Sequence, residues 1–596
     1  MVNSIYGILG DVPEDRVAQM GQRLAHRGVR HKTTRVDDRV VLGYGCDHSE
    51  SRIYNNDRYA VVSDGSIYNK NELADYANKK GIGLVTDNDE EIILAMLKTE
   101  GTEGIEKING DFAFAIWDKH DRELILGRDL SGCRPFYYTK LPFSGLAFAS
   151  EYKAVLCIPG LQTEYDLDMI QCLQYYKKLP VGRTLFKKIH AVGAACIERF
   201  NEEGKKINTQ TMSPIKASVV HNTEMEAAPF LFEKLKNAIR IRIEDKSNIG
   251  IALSGGIDSI GIAFICRGLF PDAQIHTFTA GYGDNSHDVK IAEKVANLIR
   301  SQHHKIETPP SLIGENINRL VWHLEDPYAR SESLQLLKIG EEAGKHVSSL
   351  ICGMEADALF GGMPRHKILW LMMKYPFLKK PLSEIYDFTQ CGLQPESVVG
   401  KTLKTIYFRD TIPDVPKIKG ANFSPRKTEF PVIKKEYFNA MLSNGFQNGA
   451  CQDGQKLERT FAAHGVQYRT PFLDRNLVEA AYSISDTLKF KNRVQKYILR
   501  KALEPIVPQQ LLYVPKNPQR MDYDLQFRSA LNEVAKSYLD EKSVHDRGFF
   551  DYKDIEKLMT FPNHKPYPAE WSMRMWTAAC TEVWAREFID KQGRGF

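Results

Sequence analysis

The stretch "NIGIALSGGIDSIGIAFI", Asn248 to Ile265, decides the fold of the larger part of this chain. "NIGIAL" is a short β-branched run of the kind that forms a buried strand, and "IGIAFICRGLF" continues at helical length. Between them lies "LSGGIDS", with two glycines, two serines and an acid. A strand handing over to a helix through glycines is the βα turn of a parallel sheet, and ligands sit beyond the carboxyl ends of such strands. Gly255 and Gly256 let the backbone approach an anion, and the next helix aims its first N–H groups at negative charge. Leu253 leads into the loop, while Ser254 and Ser259 offer hydroxyl donors. Asp258 makes sense beside phosphates only if a cation bridges them, and Mg²⁺ is the natural bridge. A Walker A loop is excluded because its lysine is missing. A ligand-free tight turn is the plainer alternative, but the full SGGxDS set after an apolar strand outweighs it.

Downstream, "QIHTFTAGY" and "SSLICGMEADALFGG" read as further strands, with "DVKIAEKVANLI" as a helix after the first. Alternating strands and helices predict a parallel sheet covered by helices on both faces. The tail from Glu458 reads as mainly helical, and residues 364–455 are less regular, rich in aromatic and basic residues. Within that segment "WLMMKYPFLKKPL" reads as an amphipathic helix packed on the body. Upstream, "YAVVSDGSIYN", "GDFAFAIWD" and "ELILGRDL" are β-rich, with "NDEEIILAMLKTE" as a helical interlude. The expected organisation is therefore an antiparallel α+β domain over 1–205, a polar linker over 206–222, and a nucleotide domain over 223–596. A capping-box pattern, Thr223 to Glu226, opens the second part, with Leu231, Leu235 and Ala238 on one stripe.

Bulk properties fit this plan. A chain of 596 residues exceeds one ordinary domain. Eighty basic and 75 acidic residues nearly balance, which argues against a nucleic-acid partner. Ten cysteines without a C-x-x-C pair fit reduced thiols. With no run of 18 apolar residues and no signal-peptide pattern, a cytoplasmic protein without a membrane partner is expected.

"LSGGIDS" resembles the pyrophosphatase loop of the asparagine synthetase superfamily. "HTFTAGYGD", "LEDPYA", "ICGMEADALFGGM", "YRTPFLDRNLVEAA" and "KYILRKAL" are similar to further family blocks, in family order. The resemblance implies an adenine-nucleotide α-hydrolase (PP-loop) domain with a helical C-terminal part, preceded by an Ntn-hydrolase-like domain of antiparallel sheets layered with helices. It implies ATP and Mg²⁺ as cofactors, cleavage between the α and β phosphates, and an acyl-adenylate attacked by an amine. By position, Asp258 and Asp357 would hold magnesium, and Lys496 would bind the leaving phosphates. Leu253, Ser254, Gly255, Gly256, Ser259 and Gly353 would surround the nucleotide, and Lys516 would support the charge developing around the adenylate.

The first half resembles the family's glutaminase in "QRLAHRG", "DGSIYNKNEL", "RDLSGCRPFYY" and "FASEYKAVL". The nucleophile, a cysteine after the initiator Met, is replaced by Val2. The oxyanion asparagine is replaced by Asp64, and a carboxylate repels an oxyanion. Ser66 stands in place of a family glutamate, and "LGYGCDHSE" holds no arginine for a glutamine carboxylate. These losses predict a dead glutaminase kept as scaffold.

Relatives with dead glutaminase halves include β-lactam synthetases, carbapenam synthetases and lasso-peptide cyclases, which close an amide with an amine already in the substrate. The resemblance therefore implies an ATP-dependent, AMP-forming amide ligase of specialised metabolism, acting on a small molecule or peptide that carries a carboxylate and an amine. An ammonia-dependent asparagine-type synthetase and a non-catalytic nucleotide-binding homologue are the alternatives, and homodimerisation stays open. Met354 replaces the family's proton-transferring residue, so Glu355 and Glu458 become the candidate bases. Arg365, His366 and Lys367 lie beside the site and are candidate holders of a substrate carboxylate or phosphate, with a surface helix start as the plainer alternative. His303 and His304, in "SQHHKIE", are expected in a structural or adenylate-edge role rather than as metal ligands.

Overall fold

The structure is a computed structural model of the whole chain. It describes all residues except 1, 48–51, 162, 214, 216–217, 282–285, 328–331, 392–394, 409–414, 430–436, 515–524, 561–568 and 595–596.

Two antiparallel six-stranded sheets build the first region. One runs, in spatial order, Ile189–Ala191, Tyr137–Lys140, Leu146–Ala149, Ser4–Leu9, Val40–Cys46 and Arg30–Asp37. The other runs Lys206–Thr211, Cys196–Asn201, Glu123–Arg128, Gly110–Asp118, Tyr59–Ile67 and Tyr54–Asn55. Strand alternation explains the layering. In "GDFAFAIWD", Ala113, Ala115 and Trp117 fill the core between the sheets with Leu42 and Phe148. Phe112, Phe114 and Ile116 point the other way, onto the helices Lys70–Lys79 and Asp89–Glu100. The outer face of the first sheet is covered through Tyr6, Ile8, Val17 and Met20 by the helix Glu14–Arg23. The result is a helix–sheet–sheet–helix sandwich, the α+β arrangement expected.

The linker needs a correction. Residues Lys206–Thr211 pair antiparallel with Cys196–Asn201, so the first region extends to Thr211. All six residues of this edge strand are exposed, so no apolar alternation announces it. Thr223 does cap the next helix, Glu224–Arg240, with its hydroxyl accepting from the Glu226 N–H at 3.4 Å.

The second region holds a five-stranded, wholly parallel sheet ordered Gln302–Glu307, Gln274–Gly281, Asn248–Ala252, Ser349–Ile351 and Gln467–Arg469. The C-terminal helices Leu525–Tyr538 and Ala569–Ala585 pack with Leu312–Leu324. Their core includes Tyr152, Ile170, Leu173 and Phe186 of the first region, so one apolar cluster spans both halves. "WLMMKYPFLKKPL" is broken rather than one helix. Pro364–Lys374 ends at Tyr375, and a second helix starts at Lys379, because Pro376 cannot continue the ladder. Among the described residues, no helix is long and apolar enough to cross a membrane.

Candidate active site

The loop Leu253–Ser259 lies at the carboxyl end of Asn248–Ala252, as its sequence requires. Leu253 is buried and its carbonyl accepts a 2.5 Å hydrogen bond from Thr279 Oγ1. Gly255 takes φ +72°, and a Cβ there would stand 2.6 Å from the Asp288 carbonyl oxygen, so only glycine suits the turn. The helix Ile257–Leu269 has Gly256 as its N-cap and no side-chain cap, which leaves its first N–H groups for an anion. The serines divide their work. Ser259 is buried and donates to the Gly256 carbonyl at 3.0 Å while accepting from the Ser254 N–H at 3.1 Å. It braces the loop and is not a free phosphate donor, whereas Ser254 stays exposed.

The fold then assembles the remaining charges around that loop. Lys496 Nζ bonds Asp258 Oδ2 and lies 2.5 Å from Asp357 Oδ1. Burial works against the Lys496 charge, but the two carboxylates hold its pKa above the ordinary lysine value. Lys496 sits in the left-handed region at φ 54°, an uncommon conformation for a lysine, at the N-cap of Tyr497–Leu503. Its neighbour Gln495 donates to the carbonyls of Gly361 (2.9 Å) and Met363 (3.0 Å), tying the lysine to the turn after Asp357. Gly353 lets the second strand end pass close by, since a Cβ there would come 2.9 Å from Asp258 Cβ and 3.0 Å from the Ser259 nitrogen. Asp258 Oδ1 is buried and accepts no hydrogen bond. A hard oxygen pair with a spare buried lone pair fits Mg²⁺.

The two candidate bases part company. Glu355 is buried at φ 72°, with Oε1 lacking a hydrogen-bond partner. Burial, with Asp453 and Asp357 nearby, raises its pKa to about 8. That places it in the range of a working general base, beside Asp357 in sequence and field. Glu458 is instead committed to the other half of the chain. It accepts from Arg27 with both oxygens, Nη1 to Oε2 at 3.0 Å, and from Arg134 Nη1 at 3.1 Å. Arg27 comes from "AHRG" and Arg134 from "GCRPF", so Glu458 ties the first region to the helix Tyr437–Ala462. The arginines were visible in the sequence, but nothing local linked them to Glu458.

Lys516 lies in 515–524, outside the described residues. His366 is buried, accepts from the Met363 N–H at 3.2 Å, and is pushed down to about 3 by burial and by Arg365. It caps its helix and is no anion holder. Arg365 is partly exposed and its charge reaches Glu355, while Lys367 is exposed.

The glutaminase position is altered in structure as in sequence. Val2 is fully buried. Asp64 Oδ2 accepts from Arg27 Nη2 at 3.2 Å and from Ser150 Oγ at 3.0 Å, and burial raises its pKa. Ser66 Oγ receives Gln467 Nε2 at 3.0 Å. An arginine is present after all, beyond the quoted stretch: Arg52 lines a pocket with Asn3, Tyr44 and Asp89.

Residues 231–586 match the asparagine synthase family, and residues 2–211 match a glutamine amidotransferase domain. Asparagine synthetase [glutamine-hydrolyzing] 1 of Bacillus subtilis is 26% identical, covering 97% of this chain and 94% of that protein. Asparagine synthetase [glutamine-hydrolyzing] 3 of the same organism is 23% identical, over 85% of this chain and 82% of the relative. Amidase chyE of Penicillium rubens is 24% identical, over 89% and 87%. Among solved structures, glutamine phosphoribosylpyrophosphate amidotransferase from B. subtilis covers 51% of this chain and 90% of its own at 12% identity, with a TM-score of 0.28, too slight to bear on the fold. With a match across most of the second region in addition to the carboxylate–ammonium site, the chain belongs to the asparagine synthase family of ATP-dependent amide-forming ligases.

Proposed function

We propose that this ligase works without glutamine hydrolysis, activating a substrate carboxylate as an acyl-adenylate and joining it to an amine the substrate brings. The observation that carries this reading is the contrast between the halves. Asp258, Asp357 and Lys496 form one compact charged site, whereas Val2 is inert and Asp64 is engaged by Arg27 and Ser150.

In the adenylation step a carboxylate oxygen attacks the α-phosphorus and pyrophosphate leaves. Lys496 holds the departing phosphates, and the N–H groups after Gly256 face the same charge. Asp258 and Asp357 would hold Mg²⁺, which supplies charge neutralisation on the phosphates when bound. In the second step the amine nitrogen attacks the acyl carbon, AMP leaves, and the ammonium proton passes to Glu355. Lys516 is assigned to the charge developing on the adenylate. The ligase belongs to specialised metabolism in this reading, with residues 364–455 shaping the substrate pocket.

One other reading is asparagine synthesis, the product in the relatives' names, with free ammonia replacing the glutamine that those names specify because Val2 stands at the nucleophile's place. A turnover assay with amide-¹⁵N glutamine, ammonium and candidate substrates separates the two. The proposal expects AMP and pyrophosphate, with no ¹⁵N in the product and no ammonium requirement. Transfer of ¹⁵N from glutamine overturns it, and a strict dependence on ammonium and aspartate gives the alternative.

A further inference from the structure

Strand alternation splits the pair His303–His304. His303 Nδ1 pairs with Thr277 Oγ1 at 3.0 Å on one face, while His304 turns to the other. On that second face the fold gathers two more histidines from distant segments. His276 comes from the neighbouring strand, with Nδ1 2.9 Å from His304 Nε2. His346 comes from the turn after the helix Glu332–Ala343, its ring centroid 4.3 Å from that of His304 and 5.2 Å from that of His276. One nitrogen from each ring lies within 4.8 Å of the others.

We propose that His276, His304 and His346, with Glu342, form a zinc-type transition-metal site on the edge of the parallel sheet. Three imidazoles with one carboxylate are a donor set that zinc accepts, and zinc–nitrogen bonds of ~2.0–2.1 Å place the nitrogens of a tetrahedron roughly 3.4 Å apart. Small rotations of the two partly exposed rings, His304 and His346, bring the present separations, 2.9 Å between His276 and His304 and up to 4.8 Å within the group, to that spacing. Glu342 Oε1 lies 3.2 Å from His346 Nε2 and 3.9 Å from His304 Nδ1, close enough to fill the fourth position or to orient a ring. His346 and Glu342 are one helical turn apart, and Asn248 Nδ2 pins the His346 carbonyl at 3.0 Å.

The site is separate from the nucleotide loop. His276 pairs with Gly250, before the strand reaches Leu253, whereas Asp258 lies past that strand's carboxyl end in the following helix. Its imidazole donors also contrast with the oxygen donors that suit Mg²⁺.

The test uses the full chain, stripped with chelator and titrated with Zn²⁺ against a chromophoric competitor, with Mg²⁺ as control. One equivalent should bind tightly and ignore millimolar Mg²⁺. His304→Ala and His346→Ala should each weaken binding by at least about 10–100-fold, the loss typical of even an outer partner. Asp357→Asn should leave the zinc affinity unchanged, which separates this site from the nucleotide centre. Should either histidine variant fail to fold, Co²⁺ in the wild-type chain reports instead through the visible absorption of a tetrahedral nitrogen-ligated ion. A wild-type chain without a tight equivalent, a tight equivalent that survives both substitutions, or Co²⁺ with only an aquo-ion spectrum overturns the assignment.

Discussion

Glu458→Gln distinguishes a structural brace from a catalytic base. The substitution removes one buried charge from a cluster in which the remaining charges fare unequally. Arg27 keeps Glu151 at 3.1 Å and Asp64 at 3.2 Å, so its charge stays compensated. Arg134 has Glu458 as its one ion pair among the described residues, and its Nε and Nη2 are buried without partners. Losing the carboxylate takes away the ion pair of a buried guanidinium and leaves it only the charges of Asp64 and Asp111, a change that costs up to about 3–5 kcal/mol. At a urea dependence of about 3 kcal/mol per molar, the upper end that a chain of this size reaches, the first unfolding midpoint should fall by up to roughly 1–2 M. Adding Arg134→Met removes the stranded charge, so the double variant should regain most of the loss, a coupling readable in a double-mutant cycle. Unfolding is followed by tryptophan fluorescence and calorimetry, and turnover is measured well below the midpoint. The expected result is a destabilised enzyme whose pH profile keeps its wild-type shape. A Glu458→Gln chain as stable as wild type, with turnover down about 10²–10⁴-fold and one limb of the pH profile gone, would make Glu458 the base and refute the reasoning.

Substitutions at three further positions test the same geometry. Glu355 carries a pKa raised to about 8, so turnover should climb with pH up to that region, and Glu355→Gln should lower it about 10²–10⁴-fold. For stability the sign is the reverse of an ordinary carboxylate: the folded chain keeps a proton that the unfolded chain loses, so wild type loses stability relative to Glu355→Gln as pH rises from 4.5 to about 8, measurable by urea titration at several pH values. Lys496→Met removes the ammonium paired with Asp258 and Asp357, to which the proposed reaction assigns the leaving phosphates, and should weaken Mg·ATP binding by about 1.5–3 kcal/mol, or roughly 10–150-fold by calorimetric titration. Val2→Cys should not restore glutamine hydrolysis, because Asp64 still stands at the oxyanion position; release of glutamate above background would contradict the scaffold reading.

Much of this architecture could be read because its signals are local. "NIGIALSGGIDS" needs only the order of apolar run, glycines and acid to specify a strand, a φ of +72° at Gly255 and an open helix start. Asp258, Asp357 and Lys496 could be named as one group because each sits in a stretch that resembles a family block, and the fold brings the three together. Features set by tertiary partners were not legible. Lys206–Thr211 is a strand only because Cys196–Asn201 offers it an edge, and its own residues are polar throughout. Ser259 looks like a phosphate donor until the turn brings the Gly256 carbonyl within 3.0 Å. Glu458 and Glu355 are alike in sequence as acids near the site. What separates them is Arg27, 431 residues away, against a burial that leaves Glu355 Oε1 unpaired. The histidine cluster comes from three segments whose spacing matches no ligand motif.

The central claim is acyl-adenylate chemistry at Asp258, Asp357 and Lys496 without help from glutamine. ATP–pyrophosphate exchange with Mg²⁺ tests it most directly, screened over aspartate, β-amino acid derivatives and peptides with acidic side chains. Exchange that requires one carboxylate, ignores glutamine and disappears in Asp357→Ala is the predicted result. Exchange that survives Asp357→Ala, or a chain that neither exchanges nor binds Mg·ATP, would contradict it.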